Sequence, residues 1–142
     1  MTDHRGELER WCASYVTAFS AYDASGIGGH WAFPAVITQS GRRMSFANQT
    51  DFDANTNALL SFYEAQGVKR ADRSLIDILL LNGDTAAITV ADTMRAEDGS
   101  AIVDWRAAYV LQRVGEDWKA VMAVADGELA AWRQRGTPLG RA

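Results

Sequence analysis

Residues 75–126 read LIDILLLNGDTAAITVADTMRAEDGSAIVDWRAAYVLQRVGEDWKAVMAVAD, and this stretch decides the fold. Four strand-like runs, Leu75–Leu81, Ala86–Arg95, Ala101–Val114 and Trp118–Asp126, are separated by Asn82-Gly83, Asp98-Gly99 and Gly115-Glu116. Asn-Gly and Asp-Gly favour type I′ turns, whose twist matches that of the strands they join, so an antiparallel meander is predicted. The turns also set the register. Leu79 is expected opposite Ala86, Asp92 opposite Trp105, and Trp105 opposite Asp126. One face then collects Leu75, Leu79, Val90, Trp105, Tyr109, Met122 and Val124, which is too apolar for water and should receive helices. The other face, with Thr89, Arg95, Asp104, Arg106, Lys119 and Ile78, suits solvent or a partner subunit.

Upstream, the period changes. Leu8, Trp11, Cys12, Tyr15, Ala18, Phe19 and Tyr22 recur at helical spacing, with Thr2 or Asp3 placed to cap the start. A short helical turn after Asp23 stops at Gly28-Gly29. Ala35–Gln39 and Arg42–Phe46 flank Ser40-Gly41 as a hairpin. A second long helix spans Gln49–Gln66, with Asn48 or Thr50 as cap and Gly67 at its left-handed end. Asp126 caps a short C-terminal helix over 127–135, and the residues from Arg135 to Gly140 read as a tail. Residues 1–142 are thus expected to form one α+β domain, with helices on one face of a curved sheet.

Composition narrows the function. Of 142 residues, 14 are Lys or Arg and 18 are Asp or Glu, a net charge of −4 with no basic block, which disfavours nucleic acid as a partner. One cysteine excludes an internal disulfide, and two histidines with one thiol argue against a zinc site, so no metal or cofactor is expected. The N-terminus is polar with no signal-peptide core, and no apolar run reaches the roughly 20 residues of a membrane span. A soluble, cytoplasmic protein is expected. Five Trp, four Tyr and five Phe point to a tight core or an aromatic-lined cavity.

The order of elements and two phrases carry a family resemblance. Tyr15-Val16-Thr17-Ala18-Phe19-Ser20-Ala21-Tyr22-Asp23, an aromatic-rich helix ending near Asp, resembles the first-helix motif of the nuclear-transport-factor-2-like superfamily. Trp105-Arg106-Ala107-Ala108-Tyr109-Val110-Leu111-Gln112-Arg113-Val114, followed by Trp118-Lys119-Ala120, is similar to its late hairpin in the branch of unassigned function. The superfamily includes ketosteroid isomerases, SnoaL-like cyclases, limonene epoxide hydrolases and scytalone dehydratases. The resemblance implies a cystatin-like cone, its curved sheet enclosing a pocket beneath N-terminal helices, and a homodimer.

Candidate site residues follow from both readings. By the resemblance, Tyr15 matches the tyrosine that hydrogen-bonds substrate oxygen in ketosteroid isomerases; ordinary packing favours a core tyrosine instead. The isomerase's proton-shuttling aspartate has Gln39 at its nearest match and its second oxyanion carboxyl falls near Ala107, so steroid isomerisation by that mechanism is not expected. Asp104 and Arg106, set against the epoxide hydrolase pattern, face outward in the predicted register. His30 has a pKa near neutrality and could act as a general base, or it is a rim residue. The register sets Arg73, Asp92, Trp105 and Asp126 in one transverse row. There Asp92 could serve as base or pair with Arg73, and Asp126 is a weaker candidate. Phe19, Trp31, Phe62, Trp105 and Tyr109 would line a pocket for a small apolar or aromatic molecule. The reading is a small-molecule pocket protein, with isomerase, dehydratase or cyclase-like chemistry if it is catalytic. The alternatives are a non-catalytic binding or dimerisation module, or an accessory subunit using Leu129 and Trp132. If Asp92 and His30 act in catalysis, Asp92→Asn and His30→Ala should leave folding largely intact.

Overall fold

The structure, a computed structural model, describes residues 3–138. The elements run α1 (His4–Ser20), α2 (Ala24–Gly28), β1 (Trp31–Gln39), β2 (Arg42–Phe46), α3 (Gln49–Ala65), β3 (Arg70–Asn82), β4 (Thr85–Arg95), β5 (Ala101–Val114), β6 (Asp117–Val124) and α4 (Asp126–Gln134). The strands form one six-stranded sheet in the order β2-β1-β6-β5-β4-β3. Only β1 and β6 pair in parallel. The last four strands are the predicted meander, and the helices cover the concave face of the curved sheet.

Short polar side chains start the helices by binding otherwise unpaired backbone N–H groups. Asp3 accepts from Gly6 N, Asp23 from Gly26 N, and Asn48 from Asp51 N. The other proposed cap for α1, Thr2, lies outside the described residues, as does the end of the predicted tail from Leu139 onward. Gly67 closes α3 at φ 79°, a left-handed conformation that glycine adopts without steric cost. His4 begins α1, 3.6 Å from Glu7 and edge-on to Trp118.

The meander departs from the predicted register at four bulges, one of them at Ile102, which is extra between the pairs Met94–Val103 and Arg95–Ala101. In β3 an extra residue, Ile76, sits between the pairs Leu75–Val90 and Asp77–Thr89. Ile78 therefore packs on the core, and Leu79 is 62% exposed. A second irregularity before Asn82 pairs Ala86 with Leu80 instead of Leu79. In β6, Val121 is extra between the pairs Val110–Met122 and Leu111–Ala120. Beyond it the faces exchange, so Ala123 is buried and Val124 is 39% exposed. β6 pairing stops with Val124 opposite Ala108, so Trp105 does not face Asp126. Asp126 is exposed and is the first residue of α4, preceded by Ala125 with no side-chain cap.

β3 also begins five residues earlier than predicted. Arg70–Ser74 reads as polar, yet it pairs fully with β4 because its charges find partners there. Asp72 binds Arg70 and Arg95, and Arg73 binds Asp92.

On the helical side, Leu8, Trp11, Cys12, Tyr15 and Ala18 of α1 meet the sheet, while Phe52, Thr56, Leu60 and Tyr63 anchor α3. α4 folds back onto β5 with Trp132 fully buried among Phe62, Tyr63 and Trp105. The apolar face that suggested an accessory-subunit contact is therefore satisfied within the chain. No helix among the described residues is long and apolar enough to cross a membrane.

Candidate functional site

Beneath α1, α3 and α4, the sheet holds a cavity of about 40 Å³, with Phe19, Tyr63, Asp92, Trp105, Tyr109 and Glu128 among its lining residues. A water needs some 10–15 Å³ on this measure, so the enclosed part takes about three or four heavy atoms. A whole aromatic ligand would have to extend through the mouth, where Val16, Phe19, Val124 and Ala125 are partly exposed.

One end of the cavity is built on the register that the turns imply: Arg73 opposite Asp92, and Asp92 opposite Trp105. Arg73 Nε and Nη2 donate to the two Asp92 oxygens at 2.7 and 2.8 Å. The two side chains are only 4% and 5% exposed. Nη2 also donates to Tyr109 Oη at 2.8 Å. The guanidinium lies 4.9 Å from the Tyr15 ring centre and 4.7 Å from that of Tyr109, a cation–π arrangement. Burial opposes the Arg73 charge, but Tyr109 and Asp92 outweigh it and hold the group well above its ordinary range. Arg73 and Asp92 therefore neutralise one another. Cys12 stands beside this pair, and burial pushes its thiol up to about 11, which makes it a poor nucleophile.

The other end is supplied by Glu128, in the first turn of α4. Tyr63 Oη and Trp132 Nε1, the latter at 3.2 Å, both donate to Glu128 Oε2. No described residue donates to Oε1. Gly127 allows this approach, because a Cβ there would lie 2.3 Å from the Arg106 carbonyl oxygen. Although Glu128 as a residue is partly exposed, its carboxyl is enclosed, and burial pushes it up to about 7 against the two hydrogen bonds. Asp92 raises it further, whereas Arg73 lowers it. Tyr63 is held well above the usual phenol range by burial and by Glu128.

Of the residues expected at the site, Asp92, Phe19, Trp105 and Tyr109 line this cavity. Tyr15, Trp31 and Phe62 lie outside its lining. Tyr15 Oη accepts from Trp31 Nε1 at 3.0 Å within the core, and Trp31 packs on Phe52. Phe62 meets Trp132 edge-on. Asp126, displaced by the β6 bulge, faces solvent.

His30 is in a separate open groove of about 330 Å³ with Glu7, Trp11, Ser14, Trp118 and Lys119. Its Nδ1 is 2.7 Å from the Gly26 carbonyl, which can only accept. Nδ1 therefore carries the proton, and Nε2 accepts from Ser14 Oγ at 2.8 Å. Burial lowers the His30 pKa, favouring this neutral form. Both ring nitrogens are occupied in joining α1 to the α2–β1 junction. Among the described residues no group of three or more His, Cys, Asp or Glu could hold a metal ion.

Glu128 was absent from the sequence-based set, although a signal existed. At helical spacing it shares a face with Leu129 and Trp132, so an inward-pointing α4 carries a carboxyl inward with them.

A curved six-stranded sheet closed by helices over a charged cavity defines an α+β protein of the nuclear-transport-factor-2-like, or cystatin-like, class. The chain belongs to the family described as NTF2-like protein (DUF6841), whose model matches residues 6–128. A domain of unknown function with a cystatin-like fold from Nostoc punctiforme is similar at TM-score 0.72 and 13% identity, covering 96% of this chain and 84% of that one. An NTF-2 like protein of unknown function from Shewanella oneidensis has TM-score 0.67 and 9% identity, covering 84% and 96%. A ketosteroid isomerase-like protein from Erwinia carotovora atroseptica has TM-score 0.64 and 15% identity, covering 87% and 95%. At these identities the likeness is one of fold. No curated protein matches the chain in sequence.

Proposed function

We propose that this chain is a small-molecule-binding protein whose cavity carries out cofactor-free proton transfer, with Glu128 as the acid and base. The observation that carries this reading is the placement of an enclosed carboxyl, with one oxygen that no described residue donates to, in the cavity that also holds the locked Arg73–Asp92 pair. A carboxyl that titrates near neutrality holds and releases a proton with equal ease at physiological pH, as general acid–base work requires. Asp92 is committed to Arg73 and serves to fix the cavity wall. The bound group is small, with its remainder lying in the mouth near Phe19.

The test is carboxyl-carbon NMR of Glu128 across pH 5–9, alone and with 1-propanol or 2-butanone as probes. The expected result is titration near pH 7, with the carboxyl resonance displaced by either probe and its midpoint unchanged, and with further shifts confined to Phe19, Trp105 and Tyr109. Titration in the ordinary glutamate range, or probe shifts at His30 and Trp118 instead, would overturn the reading.

A further inference from the structure

The charges in the cavity select what it binds. Arg73 is the cation there, and Asp92 and Tyr109 already occupy its Nε and Nη2 hydrogens. Its remaining nitrogen, Nη1, is buried and has no hydrogen-bond partner among the described residues. Asp92 is cancelled by the same contact. What remains is Glu128 Oε1, which accepts no hydrogen bond from a described residue while both donors nearby go to Oε2; Glu128 also borders a neighbouring groove beside Ile37, Met44 and Leu59. The cavity lining also includes the aromatic side chains of Phe19, Tyr63, Trp105 and Tyr109. A carboxylate with an open oxygen attracts a cation, and an anion would meet that charge while the remaining Arg73 hydrogens, those on Nη1, are buried.

Resting on the cavity reading above, we infer that the ligand is a small primary amine, bound as its ammonium by Glu128 Oε1 inside this cavity. The enclosed volume accommodates the ammonium and two or three carbons, and any longer substituent leaves through the mouth. The groups facing Glu128 are Tyr63 and Trp132 on the helices and Arg73, Asp92 and Tyr109 on the sheet. With both carboxylates ionised, these carry a net charge of −1 that the ammonium neutralises. Binding therefore requires an ionised Glu128, and below neutrality it releases the proton held there.

The probes are n-propylammonium, 1-propanol and propionate, which are similar in size and differ in charge, with binding read from the Trp105 indole and Glu128 carboxyl resonances. At pH 8 n-propylammonium is expected to bind about tenfold or more tighter than 1-propanol, because its hydrogen bond is charge-assisted, and propionate should not bind. Lowering the pH from 8 to 6 should weaken the amine about tenfold as Glu128 becomes protonated, leaving 1-propanol unaffected. Glu128→Gln should abolish the amine preference and its pH dependence while 1-propanol still binds. Equal binding of 1-propanol and the amine, or better binding of propionate, overturns the amine inference and leaves the cavity reading standing. If none of the three perturbs these resonances, both fail. The wild-type pH series decides the matter even if the variant does not fold.

Discussion

Replacing Asp92 with Asn tests how the cavity is held together. The substitution is nearly isosteric, but it removes the counter-charge from a guanidinium whose side chain is 4% exposed. It also turns one of two acceptor oxygens into an NH2 group facing an N–H donor. Breaking a buried ion pair from one side costs about 3–5 kcal/mol, because the surviving charge is left uncompensated. Domains of this kind are stable by only about 5–15 kcal/mol, so roughly a fifth or more of the total is at stake. At roughly 3 °C per kcal/mol the melting temperature should fall by about 10–15 °C. Urea unfolding followed by tryptophan fluorescence and far-UV circular dichroism measures the loss. The companion variant is Arg73→Met with Asp92→Leu, which removes both charges. It should be more stable than Asp92→Asn alone, since neither charge is then stranded. If Asp92→Asn costs under about 1 kcal/mol, or the double variant is merely the sum of its parts, the bridge is not the strut described here. The bridge thus reverses the expectation, formed from the sequence, that Asp92→Asn leaves folding intact.

Three further outcomes are expected. Between about pH 4.5 and 7 the folded chain holds a proton on Glu128 that the unfolded chain has released, so this group's contribution to stability falls as pH rises through that window. The fall should reach roughly 2–3 kcal/mol, after allowance for partial exposure, and level off above pH 7. It appears as a gain for Glu128→Gln over wild type at pH 8 that is absent at pH 4.5, and a flat difference would refute it. Gly127→Ala, which in an exposed helix would stabilise by up to about 1 kcal/mol, should instead destabilise by about 1–3 kcal/mol, because its Cβ would strike the Arg106 carbonyl oxygen. Thermal melts settle the sign. The homodimer implied by the family resemblance should appear in sedimentation equilibrium as twice the 15.5 kDa chain mass, and a single-chain mass would remove it.

What the sequence disclosed follows a physical division. Turns are local, and Asn82-Gly83 and Asp98-Gly99 mark where the hairpins fall, although neither is the type I′ turn predicted, since Asn82, Gly83 and Asp98 all lack a positive φ. Asn82 pairs with Thr85, and Arg73 still meets Asp92 because the extra residues Ile76 and Leu81 offset that shift, while Asp92 lies opposite Trp105 as predicted. A bulge, by contrast, is a compromise between two strands and the layer above them. Nothing in Val121 or Ile76 marks it as the extra residue, yet each reverses the faces beyond it. Leu79 and Val124 were thus assigned to the interior and lie outside. The same cause displaced Asp126 and drew attention from its neighbour two positions on.

Glu128 shows why charge at a site is harder to read than apolar packing. By pattern alone an acidic residue in a first helical turn is a favourable, solvated partner of the helix dipole. It is enclosed here because Trp132, one turn later, must bury, and a rigid helix cannot turn Trp132 inward without carrying Glu128 with it. The enclosure of the carboxyl is therefore imposed by the tryptophan, and Tyr63 and Gly127 make it tolerable by supplying a donor and close backbone approach. His30 presents the opposite case. Its residue type announced acid–base chemistry, but Gly26 and Ser14 occupy both of its nitrogens, so its local bonding favours a structural role.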